Sequence, residues 1–116
     1  MLEPGSESLI EVISAREVDM VRIEAELEAV CPITKTVDCY KLVLTYVPNN
    51  GRYIEFVSFK KYLETFKGKE ILHEELASII AEEICKAAKP KKITIELQSK
   101  FMEMNITVVK ELKCTD

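Results

Sequence analysis

Apolar and polar residues alternate from Val21 to Ala29, with Val21, Ile23, Ala25, Leu27 and Ala29 on one side and Arg22, Glu24, Glu26 and Glu28 on the other. A period of two is what a strand with one buried and one wet face requires. The glutamates also favour helix, so a helix stays open as the second reading of this stretch. A loop with Cys31 and Pro32 follows, and Tyr40 to Val47, rich in β-branched and aromatic residues, predicts a second strand. Pro48-Asn49-Asn50-Gly51 is a turn signal, and Tyr53 to Val57 resumes an extended run. From Ser58 the period becomes helical: Phe59, Tyr62, Leu63 and Phe66 share a face, and Gly68 stops the element. A second helix is predicted from about Leu72 to Ala88, with Leu76, Ile79, Ile80, Ile84 and Ala87 as its apolar stripe and Pro90 beyond its end. Two further alternating runs, Ile93-Ile95-Leu97 and Met102-Met104-Ile106-Val108, predict the last two strands. Residues 1–17 carry Pro4, Gly5 and Ser6 and then an apolar patch from Leu9 to Ile13, and read as a loose arm whose apolar part packs on the body. Residues 18–113 form one domain.

The order strand, strand, helix, helix, strand, strand predicts an α+β fold: one four-stranded antiparallel sheet with both helices on one face. Such a sheet has two open edges, which invite pairing with other chains, so a homo-oligomer that joins its edges into a barrel is expected. With 116 residues, 47% of them apolar and few Gly or Pro, the chain has the composition of a single folded domain and not of a disordered one. The formal net charge of −4 argues against a chain that is basic overall, but it does not forbid a local basic patch. No signal peptide and no long apolar run are present, so no membrane span and a cytoplasmic location are expected. The four cysteines, Cys31, Cys39, Cys85 and Cys114, form no CxxC pair, which predicts mostly reduced thiols and no zinc site.

Candidate chemistry concentrates in four residues. Cys31 lies in a loop after a strand, where a thiolate nucleophile can be presented on a rigid scaffold; a small buried hydrophobe is the plainer reading of the same residue. Asp38 opens the next strand, where its carboxylate can return toward the thiol and move its proton, or simply cap a turn. His73 and Glu74 open the second helix. Glu74 suits the helix dipole there, and a carboxylate at that point can also accept hydrogen bonds from the N–H edge of a purine-like base. Cys39 and Cys85 read as structural and Cys114 as incidental. Lys60, Lys61, Lys67 and Lys69 surround the first helix, and Lys86, Lys89, Lys91 and Lys92 surround Pro90. Such clusters are commonly solvated faces, but Lys89-Pro90-Lys91-Lys92 is the best candidate for an RNA backbone contact, with Lys60 and Lys61 beside it. No Gly-rich phosphate loop is present, which leaves a nucleotide hydrolase or a Rossmann enzyme unsupported.

Cys31-Pro32-Ile33-Thr34, Asp38, the stretch Ile54 to Tyr62 and Leu72-His73-Glu74 together resemble the 7-cyano-7-deazaguanine reductase family, over roughly residues 25–110. The resemblance implies the tunnelling fold, ββααββ, whose subunits close into oligomeric β-barrels, with a decamer of two pentamers as the expected assembly. It implies that Cys31 attacks a nitrile to form a covalent thioimide, that Asp38 transfers the proton, that His73 and Glu74 bind the substrate, and that Glu55 lies near the pocket. The NADPH-linked signature of the reductases is only partly present: Glu55, Ser58, Lys60 and Tyr62 fit it, while Phe56 and Val57 replace its second and third positions and Lys61 stands where Leu or Tyr is expected. Val57 removes a cation that would face the cofactor phosphate. A short sister group, the archaeosine synthases, shares the Cys, Asp and His-Glu set without that signature and is the better match. Its members are amidinotransferases that act on 7-cyano-7-deazaguanine already in the D-loop of tRNA. This resemblance implies tRNA as partner, ammonia or an amide as nitrogen donor, and no cofactor. An NADPH-dependent nitrile reductase is the second reading, a pteridine- or GTP-type enzyme of the same fold the third, and a non-catalytic RNA-binding or structural module the alternative of another class.

Overall fold

The structure, a computed structural model, describes residues 9–114. The Pro4-Gly5-Ser6 part of the expected arm lies outside the described residues. The elements in chain order are β1 (Val12–Ser14), β2 (Val21–Val30), β3 (Val37–Val47), β4 (Arg52–Ile54), α1 (Phe56–Glu64), α2 (His73–Ala88), β5 (Lys92–Phe101) and β6 (Met104–Lys113). β2, β3, β5 and β6 form the expected antiparallel sheet in the order β2-β3-β5-β6, so β2 and β6 are its edges.

Alternation along the strands explains the layers. On one face, Leu27 pairs with Tyr40, Leu42 with Leu97, Leu44 with Ile95 and Tyr46 with Ile93, and all of these are buried. They meet Leu76, Ile80 and Ile84 of α2 and Phe59 and Leu63 of α1 in one apolar cluster. α2 lies over β5 and β6, and α1 against the edge strand β2. The other face carries Arg22, Glu24, Glu26, Lys41, Lys92 and Thr107, all exposed or nearly so, with ion pairs Lys41–Glu24 (3.2 Å) and Lys92–Glu111 (3.8 Å). The fold is therefore α+β, as the residue pattern predicts.

The structure departs from that pattern in four places. The apolar patch of the arm is a short strand, β1, paired antiparallel with β4 as a separate two-stranded sheet, and Ile10 just before it is buried. α1 starts at Phe56, so Phe56 and Val57 are helical and not extended; Glu55 ends the extended run as N-cap, its carboxylate accepting from the Val57 and Ser58 backbone N–H groups at 2.7 and 2.8 Å. α1 ends at Glu64, and a turn carries the chain to Gly68, whose φ is +83°. Finally, Met102 belongs to no strand: with Glu103 it forms the two-residue turn between β5 and β6, both residues at positive φ.

Gly51 has a firm requirement for glycine. Asn50 and Gly51 have φ of 57° and 64°, and a Cβ on Gly51 would sit 2.5 Å from the Ala15 carbonyl oxygen of the overlying N-terminal segment. The turn thus holds that segment in place, with Ala15 N–H donating to the Gly51 carbonyl.

The expectation of mostly reduced thiols, with Cys114 incidental, is corrected by a Cys85–Cys114 disulfide, with Cα atoms 5.2 Å apart. The two residues are 29 apart in sequence, and only the packing of α2 across β6 brings them together. Cys39, read as structural, is free and exposed on the open sheet face, because its parity on β3 is opposite to that of Tyr40. Among the described residues, no helix is long and apolar enough to cross a membrane.

Candidate active site

The loop 31–36 joins the ends of β2 and β3, whose last paired residues are Val30 and Val37. Two backbone bonds fold it tightly: Cys31 N–H to the Thr36 carbonyl (2.9 Å) and Lys35 N–H to the Cys31 carbonyl (2.8 Å), with Lys35 at φ 61°. The segment before α2 is stitched to the same place. Val30 donates to the Lys69 carbonyl (2.8 Å), Ile71 donates to the Val30 carbonyl (2.9 Å), and the Lys35 ammonium meets the Glu70 carboxylate at 2.6 Å. These contacts deliver His73, the first residue of α2, next to the loop that carries Cys31.

Asp38 sits on the helix-facing side of β3, mostly buried, and its Oδ2 is 3.7 Å from His73 Nε2, within ion-pair range when the imidazole is protonated. The Tyr40 hydroxyl donates to the same Oδ2 at 3.3 Å. Tyr40 is 2% exposed, and its ring meets the His73 ring edge-on with centroids 5.3 Å apart. Burial first, and then the Asp38 charge, push the Tyr40 phenol well above its ordinary value, so it remains a protonated donor.

Cys31 is half-buried and free. A hydrogen bond from the Thr34 side chain, and then the Thr34 and Ile33 backbone, hold its thiol below the ordinary range, while burial and the Asp38 charge act the other way. The charges of Cys31 and Glu74 also push the Tyr40 phenol up, after burial and Asp38. α2 starts without a side-chain cap, at Leu72, so the positive end of its dipole is left facing this cluster.

Cys31, Asp38 and His73 are thus brought together, with Glu74 exposed on the next helix position. Glu55 is not part of this cluster: its recorded contacts are to its own helix and, through its backbone N–H, to the Glu11 carbonyl. The bonds to Val57 and Ser58 also hold its carboxyl below the usual range. Lys89, Lys91 and Lys92 are exposed around the end of α2, where Lys89 takes the left-handed C-cap conformation; Lys60 and Lys61 are exposed on α1. Sequence reasoning missed Tyr40. The available signal was its spacing of two from Asp38, which puts both side chains on one face of a strand.

A cavity of about 650 Å³, lined in part by Leu27, Tyr40, Leu63, Lys67 and Ser99, reaches the cluster only through Tyr40. The candidate cluster therefore lies at the loop and the helix start, beside this cavity and not inside it.

The sheet and its two helices define a tunnelling-fold protein, and the loop thiol beside a carboxylate is its candidate site. Comparison with known proteins agrees. A family profile described as "QueF-like protein" matches residues 38–112, and the chain belongs to that family. It is 36% identical to the archaeosine synthase of Pyrobaculum calidifontis over 92 residues, which is 79% of this chain and 84% of that protein. A crystal structure of the archaeosine synthase QueF-Like in the apo form superposes with a TM-score of 0.79 at 34% identity, covering 83% of this chain and 95% of that one. The NADPH-dependent 7-cyano-7-deazaguanine reductase of Frankia casuarinae is 38% identical over 76 residues, 65% of this chain but 60% of the reductase.

Proposed function

We propose that the chain is an archaeosine synthase, an amidinotransferase that converts the nitrile of 7-cyano-7-deazaguanine in tRNA to a formamidine. The observation that carries this reading is the Cys31 thiol, held below its ordinary range by the Thr34 loop beside Asp38, in a chain that matches an archaeosine synthase over most of both lengths. Cys31 sulfur adds to the nitrile carbon, one C–N π bond breaks, and the nitrogen takes the proton that Asp38 has received from the thiol. Ammonia, free or released from an amide, then adds to the thioimide carbon. Collapse of that adduct breaks the C–S bond, returns the thiol to Cys31 and leaves the amidine on the RNA. No electrons are transferred, and no residue need hold a nicotinamide. At the first turn of α1, where the reductase signature carries a lysine, Val57 is exposed and uncharged.

His73 and Glu74 are proposed to hold the base, Glu74 accepting from its pyrimidine N–H edge. Glu55 is proposed to reach the pocket of an adjoining subunit, since its own chain's cluster lies elsewhere. A homo-oligomer in which the edges β2 and β6 pair, a decamer of two pentamers, would bring those surfaces together. Lys89, Lys91 and Lys92, with Lys60 and Lys61, are proposed as tRNA backbone contacts, and the cytoplasm as the place of action.

The test is the product. tRNA carrying the nitrile base, incubated with the protein and ammonium, should yield a nucleoside heavier by one ammonia. Reversing the charges of Lys91 and Lys92 should weaken tRNA retention and flatten its salt dependence while leaving reaction of the free base with Cys31 intact. Oxidation of NADPH in place of ammonia uptake would assign the chain to the reductases.

A further inference from the structure

Tyr40 is a buried phenol that the reaction above does not use, yet its oxygen bonds the one carboxylate that must move a proton. Two groups converge on a single atom of that carboxylate. The Tyr40 hydroxyl and His73 Nε2 both approach Asp38 Oδ2, at 3.3 and 3.7 Å. The phenol is itself fixed. Its ring is buried in the core row beside Leu27, and its edge-on contact with His73 locks the orientation of both rings. A carboxylate held through one oxygen favours one orientation, which biases the direction of the other oxygen.

We infer that Tyr40 is a positioning residue for the proton-transfer step, holding Asp38 by Oδ2 so that Oδ1 faces the thiol. This inference rests on the reaction proposed above. The groups that bear on Asp38 are Cys31 from the loop, His73 from α2, and Tyr40 from its own strand. Burial keeps the Tyr40 phenol protonated, so it donates throughout.

The experiment compares wild type with Tyr40→Phe, which keeps the ring, its packing and its wall of the cavity and removes only the hydroxyl. Thioimide formation with 7-cyano-7-deazaguanine is followed by rapid quench and intact mass across a range of pH. In the variant the rate at saturating base should fall about tenfold, while the half-saturating concentration should change less than about twofold. A 3-fluorotyrosine in place of Tyr40 keeps the donor and should restore the rate, which also serves if the phenylalanine variant folds poorly. An unchanged rate in Tyr40→Phe, with a normal melt, overturns the inference while the reaction stands. A loss confined to base affinity also overturns it, since a packing role would produce that. A wild type that forms no adduct overturns the proposed reaction itself and the role of Tyr40 with it.

Discussion

The reactivity of Cys31 is decided by three neighbours whose effects oppose one another. Thr34 and the backbone of Ile33 favour the thiolate, and Asp38 disfavours it by charge, with the hydrogen bonds prevailing. Thr34→Val removes the side-chain donor at nearly constant shape. The thiolate then loses stabilisation, the thiol titrates at higher pH, and less of it is ionised at neutrality. Alkylation of Cys31 by iodoacetamide at pH 7 should slow several-fold, and its pH midpoint should rise. A variant that reacts at the wild-type rate and midpoint would show that the loop backbone alone activates the thiol. At this scale the candidates Cys31, Asp38 and His73 were legible, because the chain has one histidine and four cysteines, and the three residues stand at distinctive spacings. Tyr40 was not, because β-strand alternation marks it only as core. Its hydroxyl matters through a contact with the neighbour two positions back, and apolar periodicity carries no trace of that.

Among the elements, strands and helices with clean periods were legible, and their junctions were less so. α1 starts two residues earlier than its apolar spacing implies, because the Glu55 carboxylate caps the helix through Val57 and Ser58, and a cap is set by one side chain and not by a period. β1 escaped notice because three residues are too few to show alternation; its partner β4 and the Gly51 turn hold it. The disulfide joins α2 to the residue just past β6, a meeting that only tertiary packing creates. Intracellular disulfides are rare outside hyperthermophiles, so this bond bears directly on the redox setting of the chain. Closing a loop of 29 residues should add about 3.6 kcal/mol through the unfolded chain. Cys114→Ser, or reduction of the wild type, should lower the melting temperature without changing alkylation of Cys31. Identical melts with and without reductant would contradict the bond's part in stability.

For the whole molecule, the polar face of the sheet and its two strand edges are the features a lone chain leaves unused. Glu26, Glu28 and Lys41 line that face, and among the described residues β2, beyond its bridge at Val30, and β6 form the edges of the four-stranded sheet. The four-stranded antiparallel sheet was legible from element order, and its strand order β2-β3-β5-β6 follows because each consecutive pair of its strands forms a hairpin or closes across the helices. Subunit number was not, because ring size depends on sheet curvature and edge register, and no residue pattern encodes either. Cys31, Asp38 and His73 meet within the chain, while Glu55, proposed to serve an adjoining subunit, sits elsewhere on it. The account as a whole turns on one covalent bond. The most direct measurement is intact-protein mass after incubation with 7-cyano-7-deazaguanine, as free base and within tRNA, beside a Cys31→Ala variant. The account predicts an adduct of the base on the wild type, none on the variant, and discharge by ammonium but not by NADPH. An unmodified wild type with Cys31 reduced and accessible, or an adduct discharged by NADPH, would contradict it.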